Sequence, residues 1–360
     1  MKNAELHSRQ RLRGLDALRG IAAMSVVLFH FTIGYEAQFG AYPSRPWFYA
    51  PNGHFGVELF FCISGFVILG TLERTSDLKR FAIARFARLY PAYIVCATLT
   101  LFAIALSHMY RPDLTSGAIG MNATMLAFLV GAPRIDWSYW TLTHEILFYA
   151  GAALLWFVVR PRRRLELPCL VWLGCSLIGH LASSVHQHHR FATFLSVYYA
   201  NFFVLGMMLY YLSQESRSRL TIPTLCAALL MALFPPEFNK GQLPQPEYVL
   251  LIATFCTLIL FVADERKKFL DFRPLVFLGE ISYSLYLVHQ VIGYAIIGAL
   301  LRAGMGTNAA ILIAISFVIG LAFCIRTFVE KPAERWIKNF ANSAGHAVLK
   351  PRFARAAGGL

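Results

Sequence analysis

The chain has 360 residues, of which 57% are hydrophobic and only 14% are charged, with a net charge of +14. Soluble domains carry roughly a quarter charged residues, so this composition predicts an all-α membrane protein that crosses the bilayer several times. The basic residues lie in short loops between apolar runs. They therefore indicate membrane topology and argue against a nucleic-acid-binding patch.

Apolar runs long enough to cross a bilayer predict a polytopic bundle of about ten transmembrane helices. The candidate spans are 17–35, 55–72, 90–108, 139–159, 168–185, 191–212, 221–235, 248–263, 278–300 and 308–329. The seventh and eighth spans are short. Residues 118–131 are too short to span and predict a re-entrant or interfacial helix.

The distribution of basic residues predicts the orientation of these spans. With the N-terminus in the cytoplasm, the inside segments carry 26 of the lysines and arginines and the outside segments only six. This asymmetry follows the positive-inside rule, so both termini are expected to be cytoplasmic. The predicted organisation is an N-terminal tail at 1–16, a membrane domain at 17–330 and a basic C-terminal tail at 331–360.

The first span carries two ionisable residues, Arg19 and His30, that a lipid-facing helix would avoid. They are eleven residues apart, which is about 20° from three full turns, so both lie on one helix face, about 16 Å apart along the axis. Ionisable groups inside a membrane usually face a cavity or a partner and mark function. The alternative is that Arg19 snorkels to lipid phosphates and His30 makes an interhelical hydrogen bond.

Two further motifs follow in chain order. Glu58 lies near the outer end of the second span, at a depth comparable with His30, where a carboxylate could orient an imidazole. It could also be an interfacial acid facing water.

Arg85 and Arg88 share one helix face at the cytoplasmic border, and their guanidinium groups suit phosphate oxygens. They could equally be ordinary basic residues of the kind that the positive-inside rule places at this border.

The fourth span contains Glu145, predicted in the outer half of the membrane. The pair His144-Glu145 is not a metalloprotease motif, because the second histidine position is Phe148. Glu145 could alternatively be a neutral acid in an interhelical hydrogen bond. His289, in the middle of the ninth span, is interpreted as a packing residue.

The remaining chemistry-bearing residues predict no metal or disulfide site. All seven cysteines lie in apolar runs without a CxxC pair, which is typical of buried thiols. The sequence HQHHR at 186–190 has no carboxylate or cysteine partner, so we assign no metal to it. The sequence has no GxGxxG or Walker loop, which argues against a nucleotide-driven pump.

The motifs together resemble those of the acyltransferase 3 family of integral-membrane O-acyltransferases. The resemblance is carried by GLDALRG with the Arg19-x10-His30 spacing, FGVELFFCISGF at 55–66, RFAR at 85–88 followed by YPAY, WTLTHEILFY at 140–149 and SYSLYLVH at 282–289. These motifs occur in order across residues 14–289, and EKPAERW at 330–336 resembles the usual C-terminal end.

The resemblance implies a multi-pass enzyme of the bacterial inner membrane. It would move an acyl group, most often acetyl, from cytoplasmic acyl-CoA to a hydroxyl of a cell-envelope or exported carbohydrate, with no permanently bound cofactor. By position, it implies a catalytic role for His30, a site role for Glu145, and acyl-CoA binding by Arg85 and Arg88. Position 58 is Glu where Asp is at least as common in the family.

The combined hypothesis is that Arg19, Arg85 and Arg88 hold the CoA phosphates while His30 acts as general base, oriented by Glu145 or Glu58. A less favoured version makes His30 a nucleophile that forms an acyl-imidazole. The alternative function is a secondary transporter or flippase of a sugar or lipid-linked intermediate, which predicts inverted repeats. The acceptor glycan and the oligomeric state are left open.

Overall fold

The computed structural model describes residues 13–107, 109, 111–159, 164–182, 193–214, 216–231, 243–264 and 270–348. All regular elements in these ranges are helical, as predicted. The α-helices in chain order are α1 (Arg13–Phe29), α2 (Tyr35–Phe39), α3 (Gly56–Arg74), α4 (Leu78–Ser107), α5 (Ser116–Asn122), α6 (Trp140–Leu154), α7 (Glu166–Ala182), α8 (Ala200–Ser213), α9 (Thr221–Leu230), α10 (Gln245–Ala263), α11 (Arg273–Val288), α12 (Gln290–Arg302), α13 (Thr307–Ile325) and α14 (Lys331–Val348). Short 3-10 helices cover Pro51–Phe55 and Trp137–Tyr139, and π-helical turns cover His30–Gly34, Leu155–Val159 and Arg326–Glu330.

Six continuous helices of the described chain are long and apolar enough to cross a membrane, and α11 with α12 makes a seventh if the bent pair is one span. Three apolar helices, α7, α8 and α9, are shorter. Each predicted span overlaps a helix, and the protein is a multi-pass membrane protein. The number ten and the cytoplasmic placement of the termini remain predictions.

Several predicted spans differ from the observed helices. The ninth, 278–300, is not straight, because α11 and α12 meet at a 73° bend around His289. The third begins at Leu78 rather than at residue 90, so Arg85 and Arg88 belong to the spanning helix itself. Residues 118–131 form the end of α5 and a series of turns. In the predicted C-terminal tail, α14 continues from the π-helical turn and packs against α4.

The cysteines are all free, but only part of the burial prediction is correct. Cys62, Cys96, Cys169 and Cys256 are buried. The other three, Cys175, Cys226 and Cys324, are exposed on outward faces of their helices. An apolar run crossing a membrane presents one side to lipid, so its apolar residues need not be buried in protein.

Glycines allow the site helices to cross in backbone contact. A Cβ added to Gly279 of α11 would lie 1.8 Å from the Asp16 carbonyl oxygen of α1, and one added to Gly20 would lie 2.5 Å from the Leu275 carbonyl oxygen. Small residues permit this kind of close helix approach in membrane proteins. The crossing brings α1, which carries Arg19 and leads into His30, against the helix that ends beside His289.

Candidate active site

The end of α1 brings His30 into contact with His289. The helix widens into a π-helical turn at His30, a feature frequent at functional sites. His30 Nδ1 lies 3.0 Å from the Val26 carbonyl oxygen and 3.0 Å from His289 Nε2. His289 Nδ1 lies 2.8 Å from the Tyr286 carbonyl oxygen. Both imidazoles are therefore held by hydrogen bonds at their Nδ1 atoms.

These contacts assign the tautomers of the two neutral histidines. A backbone carbonyl can only accept a hydrogen bond, so His289 Nδ1 carries a proton and its Nε2 is an acceptor. His30 Nδ1 then donates, in a shared hydrogen bond, to the Val26 oxygen and to His289 Nε2. The lone pair of His30 is consequently on Nε2, which is the form required of a general base.

A cavity of about 70 Å³ is lined by Arg19, Arg85 and Arg88 together with Glu145; we call it the arginine cavity. Arg19 reaches Asp16 at 3.5 Å, whereas Arg85 and Arg88 form no ion pair with any described residue. The lining holds three guanidinium groups and one carboxylate, Glu145, while Asp16, Glu330 and Glu334 act on these arginines from outside it. Such an excess of positive charge in a partly buried cavity favours an anionic ligand.

Aromatic rings and hydroxyl groups fix the side chains of the arginine cavity. The Arg85 guanidinium lies 5.8 Å from the centre of the Phe81 ring and 5.9 Å from that of Tyr149. Glu145 accepts hydrogen bonds from Ser64 Oγ, at 3.3 Å, and from the Tyr149 hydroxyl. The sequence predicted Glu145 or Glu58 as the residue that orients His30, but the structure places Glu145 with the arginines.

A second cavity of about 300 Å³, the histidine cavity, is lined by His30, His54, Glu58 and Arg134, among others. Glu58 is only 2% exposed. The structure thus brings Glu58 and His30 into one cavity, as their similar predicted depth suggested. The hydrogen-bond partners of His30 among the described residues are Val26 and His289, so an orienting contact from Glu58 to His30 is not present here.

A third cavity of about 600 Å³, the outer cavity, is lined by His30, Gln38, Asn52, Gln290 and Tyr294, together with Trp137 and several apolar residues. The three cavities share walls. Val57 and Tyr286 line both the arginine and the histidine cavities, and His30 lines both the histidine and the outer cavities. The cavities therefore form a series of adjoining spaces from the arginines to the far side of His30.

Sequence reasoning assigned packing to His289 and did not single out His54. A signal for His54 was present, because His54 and Glu58 are four residues apart and share a helical face. The signal for His289 was an ionisable group in an apolar span. Within the described part of the chain, no cluster of three or more potential ligands could hold a metal ion. The histidines of 186–190 lie outside the described residues.

Comparison with known proteins gives distant relatives with acetyltransferase names. The chain is 24% identical to ORF330 of Acidianus two-tailed virus, which carries an acetyltransferase name, over 76% of this chain and 80% of that protein. It is 26% identical to the O-acetyltransferase OatA of Staphylococcus aureus strain MRSA252, over 98% of this chain. It is also 26% identical to the peptidoglycan O-acetyltransferase OatA of Listeria monocytogenes, over 81% of this chain. No solved structure matches.

The chain spans 61% of the staphylococcal OatA and 51% of the listerial OatA. A family model described as an acyltransferase domain matches residues 12–328, which include all of the cavity-lining residues named above. This match confirms the family resemblance drawn from the ordered motifs. The chain therefore belongs to the acyltransferase 3 family, and residues 12–328 form its acyltransferase domain.

Proposed function

We propose that this protein is a membrane-embedded O-acetyltransferase that moves an acetyl group from cytoplasmic acetyl-CoA to a hydroxyl group of a cell-envelope or exported carbohydrate. The observation that carries the proposal is the series of adjoining cavities, with three arginines at one end and His30 in the wall that the other two share. The names of the OatA relatives support the acetyl group and a glycan acceptor.

The arginine cavity is the proposed site for the phosphate groups of the donor. Arg85 and Arg88 form no ion pair with a carboxylate of the described residues, and phosphate oxygens complete such guanidinium forks with charge-assisted hydrogen bonds. Under the predicted orientation, this cavity is at the cytoplasmic side, where acetyl-CoA is made. The axial separation of Arg19 and His30, about 16 Å, is of the order of an extended pantetheine arm, so the thioester reaches His30.

His30 is the proposed general base of a direct transfer. Its Nε2 takes the proton from the acceptor hydroxyl as that oxygen forms a bond to the thioester carbonyl carbon. The carbon–sulfur bond then breaks, and the departing CoA thiolate takes the proton back from His30 Nε2. The products are the acetyl ester and CoA with a free thiol, and His30 returns to its starting tautomer.

The acceptor is proposed to bind in the outer cavity. Its lining combines the aromatic rings of Trp137 and Tyr294 with the amide groups of Gln38, Asn52 and Gln290. Amides pair with sugar hydroxyls, and aromatic faces cover the C–H faces of a sugar ring. The relative named for peptidoglycan makes that polymer the first acceptor to test, and exported polysaccharides and glycolipids follow.

The test uses the purified protein in lipid nanodiscs with radiolabelled acetyl-CoA and peptidoglycan fragments or other envelope glycans. We expect CoA release coupled to an alkali-labile labelled ester. The His30→Gln variant should lose activity by about 10²-fold or more, since general-base catalysis contributes about 10²–10⁴-fold. His180→Gln, in α7 and outside all three cavities, is the matched control and should retain activity.

Two outcomes would contradict the proposal. Full acetyl transfer by a His30→Gln variant that inserts normally would exclude His30 as the base. A protein that neither binds CoA nor releases it with any glycan would favour the transporter interpretation. Mass spectrometry of envelope glycans from cells with and without the gene would then identify the acceptor through the loss of a fixed acetyl mass.

A further inference from the structure

We infer that His289 and Asp136 are positioning residues for His30: Asp136 holds the break between α11 and α12, and the broken helix places His289 against His30. The inference rests on the proposed function of His30 as base, but it concerns two residues to which sequence reasoning assigned another role or none. It is drawn from the hydrogen bonds around the break and from the charge of Asp136.

The break at His289 contains neither glycine nor proline, so its bend needs another cause. Asp136 is completely buried, and its Oδ2 accepts a hydrogen bond of 3.0 Å from the backbone N–H of Val291, in the first turn of α12. Its Oδ1 accepts from the Ser138 N–H at 2.8 Å and from Ser138 Oγ at 2.6 Å. Asp136 thus satisfies an N–H near the start of α12 and ties it to the start of the 3-10 helix before α6.

A carboxylate at this place is stabilised by the helix that it caps. All three contacts of Asp136 come from donors, which is the arrangement of an ionised carboxylate. The positive end of the α12 dipole favours the same charge. The donated hydrogen bonds and the helix dipole together explain how a carboxylate is stable here with no exposed surface. They also fix the direction in which α12 leaves the bend.

The bend turns His289 toward α1 with its donor and acceptor atoms in fixed roles. His289 Nδ1 is committed to the Tyr286 carbonyl oxygen, so Nε2 accepts from His30 Nδ1. When His30 gains a proton on Nε2, the resulting positive charge extends over Nδ1–H and is stabilised by this acceptor. The negative charge of Asp136 acts on His289.

The experiment compares four variants in nanodiscs: His289→Ala, His289→Gln, Asp136→Asn and the matched control Tyr139→Phe. The control removes another buried hydrogen bond beside the bend, from the Tyr139 hydroxyl to the Leu287 carbonyl oxygen at 3.1 Å. Each variant is measured for kcat, for the KM of acetyl-CoA and for thermal stability. Protein labelled with ¹⁵N-histidine is examined by solid-state NMR for the scalar coupling across the His30–His289 hydrogen bond.

We expect His289→Ala to lower kcat by about 10²-fold with the KM of acetyl-CoA nearly unchanged, because misplacing a catalytic group has effects of this size. His289→Gln should recover part of this loss, since its amide oxygen can accept from His30 Nδ1. Asp136→Asn should lower kcat about tenfold and abolish the coupling between the two histidines. Tyr139→Phe should keep the coupling and a kcat within about twofold of the wild type.

Each result decides a separate claim. A wild-type kcat in His289→Ala would overturn the role of His289, and an intact coupling in Asp136→Asn would overturn that of Asp136. Equal losses of kcat and of the coupling in Tyr139→Phe and Asp136→Asn would also overturn the specific role of Asp136, because any lost hydrogen bond beside the bend would then suffice. If the wild type transfers no acetyl group, the proposed function fails, while the NMR comparison still decides whether Asp136 positions His289.

Discussion

The crossing of α1 and α11 predicts a large effect of adding one methyl group at Gly279. In a Gly279→Ala variant, the new Cβ would lie 1.8 Å from the Asp16 carbonyl oxygen and 2.4 Å from its carbon. Both atoms belong to the backbone, so no side chain can rotate away. Restoring a contact of about 3.2 Å requires the two helices to separate by about 1.4 Å, because interiors are packed at van der Waals distances.

That separation acts on the pair of histidines at the far end of the same two helices. Applied as a translation, it lengthens the 3.0 Å contact between His30 and His289 to as much as about 4.4 Å, which is beyond hydrogen-bond distance. Overpacking a core lowers the free energy of unfolding by about 1–3 kcal/mol. Displacing a catalytic group by about 1 Å lowers rates by about 10²-fold, so we expect a loss of kcat of this order.

The assay is acetyl transfer in nanodiscs with kcat and the KM of acetyl-CoA measured separately, alongside thermal unfolding. Gly320→Ala in α13 is the matched control, because a Cβ there meets no atom within 4 Å. A helical Gly→Ala change without a clash should stabilise the protein by about 0.5–1 kcal/mol. A Gly279→Ala protein with the stability and kcat of the wild type would refute the reasoning from close helix contact.

Three other predictions use the same assay. Arg85→Gln and Arg88→Gln should each raise the KM of acetyl-CoA about 10–150-fold, since a hydrogen bond to a charged group contributes about 1.5–3 kcal/mol; an unchanged KM would remove the arginine cavity as the phosphate site. Glu145→Gln should alter the KM of acetyl-CoA more than kcat. A selective loss of kcat, as expected for His30→Gln, would instead support the prediction from the sequence that Glu145 orients His30. Trp137→Ala should raise the KM of the glycan and leave that of acetyl-CoA unchanged, and the reverse pattern would exclude the outer cavity as the acceptor site.

The sequence predicted those parts of the site that depend on one helix or on depth in the membrane. Helical periodicity put Arg19 and His30 on one face, and both now line adjoining cavities. The spacing of Arg85 and Arg88 put both guanidinium groups on one side of α4, where they join Arg19. The charge at the end of a helix and the periodicity along it depend only on residues that are close in the chain. Both can therefore be predicted from one sequence.

The parts that the sequence did not predict depend on contacts between distant segments. His289 contacts His30 although it lies 259 positions further along the chain. Nothing in the sequence next to His289 specifies that partner. The bend beside it has no glycine or proline signal, because its cause is a carboxylate on another segment, Asp136. Glu145 was one of two acids predicted to orient His30, from its depth and its family position, and neither determines which neighbouring helix a side chain faces.

The three arginines also bear on how the membrane stays sealed around this series of cavities. The arginine cavity is the smallest of the three, and its lining holds three arginines and one carboxylate, Glu145. A narrow wet constriction lined by fixed positive charge repels protons and metal cations. If these arginines hold the donor phosphates as proposed, the same positive charges also oppose the passage of cations while the cavity is empty.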